Sequence, residues 1–324
     1  SFQCKYHGWK FGLDGTNESI TYEDQFYIPD RSKLAMPAVH CDEMGGFIFI
    51  NLSENPPPLR EFLGERICEI EAYPFHLMTE RYGFTTPVNG NWKLAADTIL
   101  EWYHPPYVHQ RFLGGDVAEA ERSVPPVDVY HYELFDPHML DSVPGPPPMK
   151  PRKPGGLGEA RREMKWVYKL FRGGLFGPED PADIGALPEF LNKGNVQSWG
   201  NDQFWLLPNL SVQLWARNFY ITYQYRPVSV GKHVYDIDLY FVPAKTARER
   251  LAQELTVNSV IELAMQDVNT VEATHSALAM RGLREFHLSD QELMIRSLHH
   301  SMRTAVAEYR AEKNTANKNT EEVR

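Results

Sequence analysis

"NFYITYQYRPVSVGKHVYDIDLYFVP" (218–243) decides the fold of this 324-residue chain. Apolar and polar residues alternate on both sides of Gly231-Lys232. That is the period-2 pattern of two half-buried strands joined by a tight turn. Aromatic and β-branched residues fill both runs, as a pleated surface favours. "NLSVQLW" (209–215) reads as a further strand of the same kind. Beyond 246 the period changes. Val260, Ala264, Asp267, Val271, Thr274 and Leu278 recur at steps of four and three, which predicts one face of a long helix over 246–283. Antiparallel strands followed by a helix laid across them predict an α+β fold, not a doubly wound parallel one.

Working toward the N-terminus, residues 1–52 read as short strands and turns, with a turn at Asp14-Gly15. "MGGFIFINL" (44–52) is apolar almost throughout and is expected to be a buried strand. The Pro-rich break at 52–59 marks the boundary, giving domains 1–56 and 57–324. A short acidic helix over 59–71, a strand running into a turn over 81–94, and a helix over 93–104 follow. The stretches 141–158 and 173–188 read as irregular. A second helix is expected over 289–311, then a frayed polar tail. There is no internal repeat.

Composition narrows the function. The net charge is −10 and the pI about 5.7, so phosphate is repelled and nucleic acid is excluded as a partner. No apolar run approaches the ~20 residues that span a bilayer. Three cysteines make no disulfide framework and suit a reducing cytoplasm. Aromatics at 12% suit an enclosed apolar pocket.

"NWKLAADTILEWYHPPYVH" (91–109) is the richest chemical stretch. His104 and His109 are five apart, so on one helix they diverge by about 140°. Pro105-Pro106 is expected to end the helix near His104 and to bend the chain, so that His109 folds back. Asp97, Glu101 and His104 would share one helical face, and Ala96, Leu100 and Tyr103 another. A carboxylate one turn from a liganding histidine accepts its free ring N–H and fixes its tautomer. A solvated surface helix with unrelated histidines is the plainer alternative. Asp267 sits mid-way along an apolar face, where an unpaired carboxylate is costly; a metal or an arginine would satisfy it. Two histidines and one carboxylate on one face is the donor set of non-haem Fe(II) oxygenases. His275, two turns from Asp267, is either a core or a pocket histidine. His40, His131, His138, His233, His299 and His300 read as structural or surface groups. The strands at 206–215 and 219–225 are candidate pocket walls. Cys4 and His7 form a Cys-x-x-His pair, able to ligate zinc or an iron–sulfur cluster, or merely a cysteine near an unrelated histidine. Gly8 allows a close loop and Trp9 a hydrophobic cover.

Three motifs then carry a resemblance. "CKYHGWKFGLDG" (4–15) resembles the second ligand loop of a Rieske [2Fe–2S] domain, and "GGFIFINL" (45–52) its closing strand. Residues 91–109 resemble the iron motif of Rieske non-haem iron oxygenase α subunits, and "IELAMQDVNTVEATHSAL" (261–278) their third-ligand helix. Departures are Asp97-Thr98 where the family has Glu-Asn, the Pro-Pro pair, and His275 near a usual Gln. The resemblance implies the end of an all-β Rieske domain followed by a helix-grip (START-like) catalytic domain. It implies His104, His109 and Asp267 as ligands of a mononuclear Fe(II), and Glu101 as the bridge between that iron and the cluster. Cys4 and His7 would be two of four cluster ligands, with the first Cys-x-His upstream of Ser1. It implies hydroxylation, dihydroxylation or demethylation of an aromatic or other apolar organic substrate with O₂. Electrons would come from NAD(P)H through a reductase or ferredoxin, in a homotrimer with or without a β subunit. A metal-free helix-grip binding protein and a zinc-dependent hydrolase are the rival readings.

Overall fold

A computed structural model of the chain describes residues 1–28, 30–109, 130–145, 172–281 and 285–321. They divide into two units, Ser1–Cys68 and Glu69–Arg324. The first unit takes in the helix that follows the Pro-rich break.

In the first unit, β1 (Phe2–Gln3), β2 (Lys10–Phe11) and β3 (Asn17–Ser19) form a small antiparallel sheet. A hairpin pairs β4 (His40–Met44) with β5 (Phe47–Asn51). α1 (Leu59–Cys68) lies against β4 and is broken at Gly64, whose φ of 73° suits glycine. A strand forms, but the expectation that 44–52 is buried fails: Met44 is buried, Phe47 and Phe49 are half-buried, and the opposite face is exposed. Ile48 and Ile50 are 75% and 68% exposed. Successive residues of a strand point to opposite faces, and β5 has one neighbouring strand, so an unbroken apolar run cannot bury both sides.

The second unit is built on seven antiparallel strands in the order β6-β12-β11-β10-β9-β8-β7. These are β6 (Glu80–Val88), β7 (His131–Phe135), β8 (His138–Pro144), β9 (Trp199–Leu206), β10 (Leu210–Trp215), β11 (Phe219–Ser229) and β12 (Lys232–Phe241). The opening hairpin is β11–β12, its turn one residue earlier than expected, at Val230-Gly231. Its alternation is the core pattern: Phe219, Ile221, Tyr223 and Tyr225 face Phe241, Leu239, Ile237 and Tyr235, all buried. The other face carries Tyr220 stacked on Tyr240 at 4.4 Å and the Arg226–Asp236 and Arg81–Asp238 ion pairs. Three helices complete the site-bearing side: α2 (Trp92–Ile99), α3 (Pro105–Val108) and α4 (Ala247–Ala279). α4 packs on α2 and on β6 and β12, and joins them in the main hydrophobic core. Thr246 and Glu249 close a capping box at its start. The fold is α+β, as expected.

Several boundaries differ from expectation. β8 extends through 141–144, the start of a stretch read as irregular; its remainder from 146 lies outside the described residues. The last helix, α5 (Leu293–Glu321), continues through most of the tail expected to fray. Among the described residues no helix is long and apolar enough to cross a membrane.

Asn91 joins α2 to the sheet. Its side chain accepts from Lys93 N at 3.1 Å as the N-cap and donates to Val230 O at 2.8 Å in the β11–β12 turn. Asn91→Ala removes both bonds and is expected to destabilise the second unit by about 1–2 kcal/mol, read from the urea midpoint.

Candidate metal centre

α2 stops at Ile99, five residues short of His104, where the sequence pattern had continued. Its last carbonyl is taken by the sheet: Gln203 Nε2, on β9, donates to Ile99 O at 2.6 Å. The chain then wraps around one carboxylate. Glu101 is buried and its Oε2 accepts from the backbone N–H of Tyr103 and, at 3.0 Å, of His104. Its other oxygen, Oε1, meets His104 Nδ1. Pro105-Pro106 starts a new helical turn instead of simply ending one. Proline at the first helical position gives up an N–H that has no partner there anyway. His104 keeps right-handed helical angles (φ −77°, ψ −31°), although a following proline disfavours them. Its amide is held by Glu101 and its carbonyl by Tyr107 N and Val108 N, at 2.8 and 2.9 Å. One turn later His109 faces back toward His104.

The two rings meet Asp267 of α4. His104 Nε2 lies 3.2 Å from His109 Nε2 and 3.5 Å from Asp267 Oδ1, and His109 Nε2 lies 3.2 Å from the same oxygen. Among the described residues these three are the only group of three or more His, Cys, Asp or Glu side chains placed to share a metal ion. The donor chemistry fits one. His104 Nδ1 is turned to a carboxylate and His109 Nδ1 to the carbonyl Oε1 of Gln266, at 2.8 Å. With protons on both Nδ1 atoms, both Nε2 lone pairs point inward at a buried carboxylate oxygen that has no hydrogen-bond partner. Bonds of roughly 2.1 Å from one metal would separate its ligand atoms by about 3.0–3.4 Å. The protein's own charges state the same demand. Burial opposes a charged His104, but Asp267 and Glu101 outweigh it and lift its pKa to about 9. Burial likewise works against ionised Asp267, and the pairings with His104 and His109 still lower its pKa. A proton or a metal cation must sit among the three.

The group opens on a cavity of about 690 Å³, whose walls include Phe176, Trp215, Tyr223, Tyr235 and Val260. Both predicted wall strands contribute.

Other predicted residues lie elsewhere. Asp97 does not share a face with Glu101 and His104, because the helix ends between them. Its carboxylate pairs with His299 Nε2 on α5, at 3.1 Å. Tyr103 is 52% exposed, unlike buried Ala96 and Leu100. His275 sits beside the β11–β12 turn, where a Cβ on Gly231 would come 2.9 Å from its Nε2, and it does not line the cavity. In the first unit, Cys4 and His7 occupy an exposed loop closed by Cys4 N to Trp9 O (2.8 Å) and Gly8 N to Cys4 O (2.9 Å). Backbone N–H groups of Tyr6 and His7 lower the Cys4 thiol's pKa. Among the described residues no third ligand joins them, so they do not by themselves fit a four-ligand cluster. Gln203 escaped sequence reading, and Gln266 entered only within the third-ligand-helix resemblance, with no role assigned. The position of Gln266, directly before Asp267, was the available signal.

A family model of the ring hydroxylating alpha subunit (catalytic domain) matches residues 75–308. Terephthalate 1,2-dioxygenase terminal oxygenase component subunit alpha 2 of Comamonas sp. is 30% identical over 35% of the chain and 29% of its own length. Choline monooxygenase of Beta vulgaris is 29% identical over 52% of the chain and 36% of its own length. The aligned part thus spans about a third of these relatives. A solved quaternary ammonium Rieske monooxygenase superposes with a TM-score of 0.64 at 20% identity, covering 95% of this chain and 72% of that one. It is a likeness of fold.

Gln266→Leu is expected to lower Co(II) affinity about 10–100-fold, measured by equilibrium titration, with Gln266→Glu retaining the acceptor and the affinity.

Proposed function

The chain belongs to the ring hydroxylating alpha subunit family, and from that footing we propose that it is the catalytic part of a Rieske non-haem iron oxygenase. His104, His109 and Asp267 hold a mononuclear Fe(II). Held there, Fe(II) supplies O₂ activation for hydroxylation, dihydroxylation or demethylation of an organic substrate. The observation that carries this reading is the convergence of two imidazole Nε2 atoms and an unpartnered buried carboxylate oxygen. A hydrolytic zinc site with both histidines on one helix is disfavoured, since His104 and His109 flank α3 rather than project from a common face.

The chain's own residues divide the work. Glu101 keeps a proton on His104 Nδ1 and orients the ring; Gln266 does the same for His109. Aromatic walls exclude water from the cavity and cover the body of an apolar substrate. The family resemblance adds Glu101 as the link toward a Rieske cluster in a trimer. Cys4 and His7 would be two of that cluster's ligands, in a first domain ending near the Pro-rich break. An NAD(P)H-fed reductase or ferredoxin is then the electron-transfer partner. Three cysteines in 324 residues suit a cytoplasmic setting. Terephthalate, choline and carnitine oxygenases among the relatives mark a range wide enough that substrate class must be read from this chain's own cavity.

Asp267→Ala is expected to abolish stoichiometric Fe(II) binding under anaerobic dialysis, while the wild-type chain binds one iron. Undiminished iron in the variant would place the third ligand elsewhere. Glu101→Gln, in an enzyme with all four cluster ligands, is expected to keep its iron and to lose turnover by on the order of tenfold or more. Full turnover would remove Glu101 from the electron path.

A further inference from the structure

One wall of the cavity is polar in an unusual way. Asn201 on β9 and Gln213 and Trp215 on β10 all line it, and each is at least nine-tenths buried, at 1%, 4% and 6% exposure. Asn201 Oδ1, Gln213 Oε1 and Trp215 Nε1 have no hydrogen-bond partner among the described residues. The strand register makes one patch of them. Trp215 stands directly across from Asn201, and Gln213 lies two residues back on the same face.

The orientation of Gln213 follows from its neighbour. Gln203 Nε2 donates to the carbonyl of Ile99, so Gln203 Oε1 must be the atom that faces β10. Gln213 Nε2 donates to that oxygen, which leaves Gln213 Oε1 as an acceptor. The patch thus offers two carbonyl acceptors and one indole N–H donor. Buried polar atoms left unmatched are costly, and a site with such atoms selects for the group that matches them. Among the described residues that line the cavity there is no Lys or Arg, and the acids are Glu101 and Asp267 of the metal centre. Apart from the cation at the metal centre and His131, which lies 3.4 Å from Glu133, no positive side chain among them lines it.

We propose that Asn201, Gln213 and Trp215 form the polar end of the substrate cavity and select an uncharged group that both donates and accepts a hydrogen bond, a hydroxyl or carboxamide, over a carboxylate. This rests on the oxygenase reading for its relevance to turnover, but the binding preference stands separately. The wall is set by β9–β10 pairing, and the metal by α3 and α4.

The test uses the full chain with ¹⁵N-labelled tryptophan indoles and two probes of one shape, benzamide and benzoate. Trp215→Phe assigns the Trp215 N–H signal among the seven tryptophans. Benzamide is expected to shift that signal saturably and to bind about tenfold or more tighter than benzoate. Gln213→Leu, which keeps the side-chain volume, is expected to erase that preference. Equal or tighter benzoate binding, an unchanged preference in Gln213→Leu, or no shift from either probe overturns the proposal. Iron content of the same samples separates the two readings. Iron without the amide preference defeats the polar wall alone; the preference without iron defeats the oxygenase reading alone.

Discussion

Three lone-pair donors are held within 3.5 Å of one another in a buried pocket. Left to themselves they repel, so a positive charge belongs among them. That constraint explains the unusual state of the surrounding groups. The pKa of His104 is raised against the pull of burial, and that of Asp267 is lowered against it. Glu101 and Gln266 each occupy the outward nitrogen of one ring, so that the inward nitrogens keep their lone pairs.

The rest of the second unit holds this arrangement in place. These groups come from two parts of the chain more than 150 residues apart in sequence, Glu101 to His109 and Gln266-Asp267. α4 carries the second pair on a rigid element, fixed by its capping box and by the core it shares with α2, β11 and β12. The first part is a tight non-helical turn over 101–103 that leads into α3 at His104, with His109 closing that helix. That turn is stable because one carboxylate satisfies two backbone amides and a ring N–H at once, and because Gln203 ends α2 early. Asp97 and His299 add a half-buried tie from α2 to α5.

The parts legible in the sequence were those with a clean period. β11, β12 and α4 alternate or recur as a half-buried strand or helix must, and the structure follows them within a residue or a few at each end. β7, β8 and β9 were not legible. β8 and β9 are buried on both faces and mix apolar residues such as Leu140 and Phe204 with Asp141, Ser142, Asn201, Asp202 and Gln203, so no period-2 alternation marks them. Asp141 and Asp202 accept from the Trp102 and Trp199 indoles and Gln203 donates to the end of α2, which only the folded sheet reveals. The three side chains that converge were legible because histidines flanking a proline pair and an acid on an apolar helical face both break the local pattern. The route between them was misread. In sequence a proline pair reads as a stop, whereas here it begins the turn that returns His109 to His104.

The central claim is that these three side chains share one ion. A crystal of the iron-loaded chain, with anomalous diffraction recorded on both sides of the iron edge, tests it most directly. The account predicts a single peak in the second unit, bonded to His104 Nε2, His109 Nε2 and a carboxylate oxygen of Asp267. A peak bound by other side chains, or iron-loaded crystals with no peak between these three, would contradict it.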